Sequence, residues 1–82
     1  MLDLVKIILP RSDISQIIDG LTERMLVWRA TEEYIETGYP QSADYIEECG
    51  DAHEAQIIAD HYKYLIDQIS NQITQQDENK LL

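Results

Sequence analysis

Apolar residues recur every three or four positions between Ser12 and Thr37. The stripe comprises Ile14, Ile17, Ile18, Leu21, Met25, Trp28 and Ile35, whereas the opposite face carries Asp19, Glu23, Arg29, Glu33 and Glu36. This spacing predicts an amphipathic helix over residues 12–37. Ser12 or Asp13 is the expected N-cap, and Gly38 followed by Pro40 predicts the end of the helix.

A second stripe with the same rhythm follows a short connector, residues 38–50. It comprises Ala55, Ile58, Tyr62, Leu65, Ile69 and Ile73, and it predicts a helix over residues 51–74. Asp51 with Glu54 three positions later is a variant of the capping box. Within the connector, Ser42 can cap one helical turn that reaches Glu48. Residues 75–82 have no stripe, and we expect them to form a flexible polar tail.

Two helices of similar length joined by a short connector predict an all-α fold, an antiparallel helical hairpin. A short apolar arm, residues 1–11, precedes the first helix, and Pro10 stops it. A lone hairpin covers each stripe from one side only. It leaves surplus apolar residues beside the seam, namely Leu26, Val27, Trp28, Ile57 and Ile66. The arm can shield part of this surface, and we expect dimerisation into a four-helix bundle to cover the rest.

Charge narrows the classes of partner. The 82 residues include 16 acidic and six basic side chains, which gives a formal net charge of −10. This balance argues against direct nucleic-acid binding and against adhesion to anionic membranes, and it favours a basic protein surface as partner. No apolar run is long enough to span a bilayer and none resembles a signal sequence, so we expect a cytoplasmic location.

The acidity concentrates in the segment from Glu32 to Glu54, which has eight carboxylates and no lysine or arginine. Asp51 and Glu54 lie at a helix N-terminus, where negative charge is favoured, but Glu32, Glu33 and Glu36 approach a C-terminus, where it is not. Tyrosine rings among carboxylates suit a protein-binding face. The candidate partner-binding residues are therefore Glu32, Glu33, Glu36, Tyr39, Glu47 and Glu48.

Two resemblances define alternative functions. In size and charge the chain resembles small phage-encoded inhibitors of host defence, including DNA-mimic and anti-CRISPR proteins; this implies carboxylates that imitate phosphates in the basic groove of a DNA- or RNA-handling protein. The pairs Glu33 with Glu36 and Glu48 with Asp51 resemble the Mg²⁺-binding pattern of MazG-type nucleotide pyrophosphohydrolases. Gly50 interrupts the second pair, and Asp51 is committed to capping.

Cys49, His53 and His61 are the remaining reactive side chains. Cys49 precedes a helix N-terminus, where the dipole can lower a thiol pKa, but burial beneath the turn is the commoner role of such a cysteine. A lone cysteine also excludes an intramolecular disulfide. His53 and His61 are about 12 Å apart along a helix, too far for one ion. We expect no catalytic residue, metal or cofactor, and hence a non-enzymatic protein.

Overall fold

The computed structural model describes residues 3–38 and 47–80, and the side chains up to residue 77. Two α-helices, α1 (Arg11–Thr37) and α2 (Ala52–Lys80), pack as an antiparallel hairpin. Two ion pairs on α1 and α2 set the register: Arg11 to Asp77 at the open end (2.6 Å) and Arg29 to Asp60 nearer the turn (2.7 Å). The described residues form no strand, so the all-α hairpin is confirmed.

Helix α1 does not begin as the sequence suggested. Its N-cap is Pro10, which offers no side-chain cap, and the Pro10 carbonyl accepts from the amides of Asp13 (3.0 Å) and Ile14 (3.1 Å). Ser12 and Asp13 therefore lie inside the first turn, and neither caps it. The cause is the proline, whose fixed φ (here −55°) suits a residue at a helix start. Asp13 still stabilises the helix, because a carboxylate in the first turn interacts favourably with the helix dipole.

Helix α2 begins with a side-chain cap and ends later than expected. Asp51 Oδ1 accepts from the Glu54 amide (2.8 Å), while Glu54 Oε2 accepts from the Gly50 amide (2.7 Å), one residue before the cap. The helix runs to Lys80, beyond the predicted end at Thr74. Residues 75–80 contain neither glycine nor proline, so nothing in the backbone chemistry stops the helix there. The Arg11 to Asp77 ion pair also holds this extension against α1.

The hydrophobic core is small and lies toward the turn end. Trp28 packs with Ala55 and Ala59, which are fully buried, and Ala30 is the other buried apolar residue of the described chain. Met25, Cys49, Ile58 and Tyr62 pack partly exposed around this cluster. Toward the open end, the residues of both stripes are largely but not fully buried; they are Ile14, Ile18, Leu65, Ile66, Ile69 and Ile73. The fully buried apolar residues of the described hairpin therefore lie toward the turn end only.

Much apolar surface remains exposed. Of the residues expected to be surplus, Trp28 is buried and Val27 and Ile66 are half-buried, whereas Leu26 and Ile57 are more than half exposed. The arm does not shield this surface, because its Leu4, Val5, Ile7 and Ile8 side chains are themselves 70–87% exposed. The accessible surface is 6687 Å², whereas a compact monomer of this mass exposes about 5,000 Å². The Cα radius of gyration is 15.9 Å, against about 12 Å for a compact domain of this length.

Two glycines give a matched pair of stability predictions. Gly38 has φ +80° at the C-cap of α1, so Gly38→Ala is expected to destabilise the fold by about 1 kcal/mol. A Cβ on Gly20, within α1, would meet nothing within 4 Å. The close helix approach that would justify this glycine is absent from the described hairpin, and Gly20→Ala is expected to stabilise by up to about 1 kcal/mol. Urea unfolding followed by circular dichroism measures the free energy of unfolding of both variants. Changes of the same sign would contradict the different roles given to the two glycines.

Candidate interaction surfaces

The first candidate surface is the acidic end of α1. Glu33 and Glu36 are exposed and Glu32 is half-buried. None of the three forms an ion pair with a described residue. Arg29, the basic residue nearest to them in sequence, binds Asp60 across the hairpin (2.7 Å). These carboxylates therefore crowd one helix end without a described cation to offset them.

Glu47 occupies a different environment from the other candidate residues. Its Oε1 accepts from Arg24 Nη1 (2.7 Å), and its backbone amide donates to Thr31 Oγ1 (3.0 Å). The side chain is 25% exposed. The structure thus places Glu47 in an internal ion pair that ties the segment before α2 to the flank of α1.

Thr31 is the residue that sequence reasoning missed. It is fully buried, its hydroxyl donates to the Val27 carbonyl (2.8 Å), and the same oxygen accepts from the Glu47 amide. The signal for it was weak: Arg24 and Thr31 are seven positions apart, which places them on one flank of α1 beside the apolar stripe. Their common partner, Glu47, could be identified only from the folded structure.

The other candidate residues are dispersed. Glu48 is exposed, and Tyr39 lies outside the described residues, as does most of the expected helical turn up to Glu48. Residues 47–49 themselves are not helical. Across residues 3–38 and 47–80, no three histidine, cysteine, aspartate or glutamate side chains group so that they could hold a metal ion. The pairs Glu33 with Glu36 and Glu48 with Asp51 therefore do not combine into a described metal site.

The second candidate surface is one broad side of the hairpin. On a helix, residues four and seven apart share a side, so the half-covered aliphatic residues beside the seam fall together on one flank of the pair of helices. We call this set the apolar flank: Ile17 and Leu21 on α1, and Ile58, Leu65 and Ile69 on α2. The opposite flank is polar and carries the ion pairs of Arg29 with Asp60 and of Lys63 with Asp67. The hairpin is therefore two-sided, with one apolar flank on which Ile17 is 44% exposed and the other four residues are partly exposed.

The exposed outer face of α2 carries the described aromatic contact. The rings of His61 and Tyr64 stack with centroids 6.1 Å apart and planes 21° apart, and both side chains are exposed. Ile57, one turn before His61, is 55% exposed. Ile57, His61 and Leu65 follow one another at four-residue spacing along α2, so this face borders the apolar flank.

Cys49 does not have the activated thiol that its position suggested. Partial burial against the core, and then the negative charge of Glu54, raise its pKa from the ordinary value of 9.0. Any lowering of the pKa by the helix dipole is outweighed by this burial and by the negative charges of Glu54 and Asp51 at the cap. Cys49 Sγ also donates to the Asp51 carbonyl (3.4 Å), while His53 is exposed. The thiol stays protonated at neutral pH.

This pKa shift predicts slow alkylation. Because only the thiolate reacts, iodoacetamide is expected to modify Cys49 more slowly in the folded protein at pH 8 than in the same chain in urea. The rate should rise as the pH passes above 9. Mass spectrometry of quenched time points measures the rate, with free cysteine as a reference. Faster reaction in the folded state than in urea would mean that the thiol is activated.

Among the described residues, no helix combines the length and apolar character needed to cross a membrane. Comparison of the chain with protein-family models, with curated proteins and with solved structures finds no match.

Proposed function

We propose that this protein is a small, acidic, non-enzymatic interaction module. It self-associates through the apolar flank, forming a four-helix bundle from two hairpins, and it binds a basic protein surface through the acidic end of α1. The observation that carries this proposal is the two-sided hairpin. One side has apolar residues that the chain leaves half-covered, and the end of α1 has carboxylates without a described cation.

The surface area supports self-association. The chain exposes about 1,600 Å² more than a compact monomer of equal mass. Two copies that remove this excess would bury about 3,200 Å² in total, which falls in the range of obligate homodimers. A bundle formed on the apolar flank would give Ile17, Leu21 and Ile58 further apolar neighbours beyond those that the single hairpin supplies.

The electrostatics support a basic partner. A net charge of −10 attracts a cationic surface over several ångströms at low salt and loses that attraction as salt screens it. Glu33 and Glu36 are exposed, and the nearby Arg29 is already bound to Asp60. A guanidinium or ammonium group from a partner would supply the charge that this helix end lacks.

Neutralising this end tests the proposal. The triple variant Glu32→Gln, Glu33→Gln, Glu36→Gln should lose a partner captured from host lysate at low salt. The control variant Asp13→Asn, Asp19→Asn, Glu23→Gln removes the same number of charges from the other half of α1, where all three side chains are exposed. It should retain the partner. Equal capture by both variants, or capture unaffected by 0.5 M salt, would contradict an acidic binding end.

The nucleic-acid mimic is a second candidate that uses the same carboxylates. It is favoured by the exposed Glu33 and Glu36, which stand without a described cation, as phosphates do on a nucleic-acid backbone. A mimic must compete with the nucleic acid for its partner, since both occupy one basic groove. Duplex DNA or RNA added to the captured complex should then release the protein. Retention of the complex in excess DNA and RNA would contradict the mimic, because the partner would then bind the acidic end outside its nucleic-acid groove.

A further inference from the structure

The arm has no partner within the described hairpin. Residues 3–10 are extended, and their four most exposed apolar side chains are Leu4, Val5, Ile7 and Ile8. The arm's described backbone hydrogen bonds are the two that the Pro10 carbonyl accepts from the amides of Asp13 and Ile14. An extended apolar segment with unpaired backbone groups is what a neighbouring chain binds most readily.

The arm lies beside the open end of its own hairpin without packing closely against it. An open groove of about 690 Å³ separates it from the open end, where Ile14 on α1 and Gln72, Ile73 and Gln76 on α2 form the other wall. Pro10 turns the chain out of α1 with ψ 146°, and a proline cannot join the helix ladder as a donor. The arm's own hairpin therefore leaves its Leu4, Val5, Ile7 and Ile8 side chains 70–87% exposed, although it lies next to them.

We propose that each arm crosses to a second copy of this chain and packs against Leu65 and Ile69, at the α2 edge of that copy's apolar flank. This exchange rests on the proposed dimer and names the segment that completes it. Seven extended residues, 3–9, reach about 23 Å, and neighbouring packed helices lie about 8–10 Å apart. The arm is therefore long enough to cross the seam between two hairpins.

The side-chain pattern of the arm fits this binding site on the second copy. In an extended chain, alternate residues face opposite sides, so Val5, Ile7 and Leu9 form one wholly apolar side, and Lys6 lies on the other. The apolar side matches the aliphatic Leu65 and Ile69. Lys6, for which no carboxylate partner is described, would face outward on a dimer whose two chains each carry a net charge of −10.

Cysteine crosslinking tests the exchange in the full chain. In a Cys49→Ser background, one protein carries Ile7→Cys and a second carries Leu65→Cys or Ile69→Cys; the two are mixed, unfolded, refolded together and oxidised. A disulfide requires Cα atoms within about 7 Å, so it forms only where the arm of one molecule touches the flank of another. The matched controls are Lys63→Cys and Asp67→Cys, two residues away on the polar flank of α2. Circular dichroism establishes that each variant folds, and light scattering measures the mass of each variant in solution.

The exchange predicts a disulfide-linked heterodimer of Ile7→Cys with Leu65→Cys or Ile69→Cys. The yield of heterodimer with either control variant should be at least ten-fold lower. A mixture that has the mass of a dimer but gives no flank crosslink would overturn the exchange and leave the proposed dimer intact. Crosslinking of Ile7→Cys to itself alone would also overturn it, because the two arms would then pair with each other. A monomeric mass for the unsubstituted chain would overturn both proposals.

Discussion

Replacing Trp28 with alanine is expected to remove a large share of the stability of the fold. Trp28 is 8% exposed and is the largest side chain in a core whose other central members are Ala55 and Ala59. Large-to-small replacement of a buried aromatic residue costs about 3–5 kcal/mol. The whole free energy of unfolding for a chain of this length is about 4–12 kcal/mol. Two alanines cannot move to fill the space, because they lie on one rigid helix.

Urea unfolding followed by circular dichroism measures this loss. Leu26→Ala is the control, since Leu26 lies two residues away on α1 but is 56% exposed; it should change the free energy by less than about 1 kcal/mol. Trp28→Phe keeps an aromatic ring and removes an indole N–H that is buried without an acceptor in the described structure, so it should be tolerated far better than alanine. Equal losses for Trp28→Ala and Leu26→Ala would mean that the core lies elsewhere.

Replacing Thr31 with valine is expected to cost about 2–3 kcal/mol. Valine keeps the shape of the buried side chain but removes the oxygen that accepts from the Glu47 amide. That amide then loses its partner inside a partly buried contact, and an unsatisfied buried donor costs about 1–3 kcal/mol. The Arg24 to Glu47 ion pair should weaken too, because the Thr31 bond holds the Glu47 backbone in place beside α1.

The matched control for this variant is Thr22→Val. The Thr22 hydroxyl donates to the Ile18 carbonyl one turn back (2.8 Å), and that is its described hydrogen bond. Such a local bond adds little, so Thr22→Val should change stability by less than about 0.5 kcal/mol. Hydrogen exchange supplies a second measurement: the Glu47 amide should exchange faster in Thr31→Val and at an unchanged rate in Thr22→Val. Similar effects of the two substitutions would contradict the role given to Thr31.

The hairpin could be predicted because each helix has its own apolar stripe, from Ile14 to Ile35 and from Ala55 to Ile73. Those stripes are local in sequence, and the antiparallel pairing follows from the short connector. The start of α1 was missed because Ser12 and Asp13 are strong caps in isolation, whereas Pro10 precedes both and its carbonyl nucleates the helix. The extension of α2 to Lys80 was missed because its last turns have no stripe, although they contain no residue that stops a helix.

The candidate site was less predictable, since charge composition does not reveal pairing. Glu47 and Glu48 are adjacent in sequence, yet Glu47 is bound by Arg24 and Thr31, while Glu48 is exposed. Arg29 is the basic residue nearest to Glu33 and Glu36 in sequence and lies within two turns of both. It binds Asp60 because the other helix brings that carboxylate to 2.7 Å. For Cys49 the sequence indicated burial beneath the turn, and contact with the core does raise its pKa; the further contribution of the Glu54 charge emerged only from the folded structure.

The claim that most of the account depends on is that one hairpin is an incomplete folding unit and that two copies complete it. Size-exclusion chromatography with light scattering, at 5 to 100 μM (roughly the range in which an obligate dimer persists), measures this directly. We predict one species with twice the chain mass of 9.5 kDa and an unfolding midpoint that rises with protein concentration. A species of one chain mass throughout, with a midpoint independent of concentration, would contradict the account.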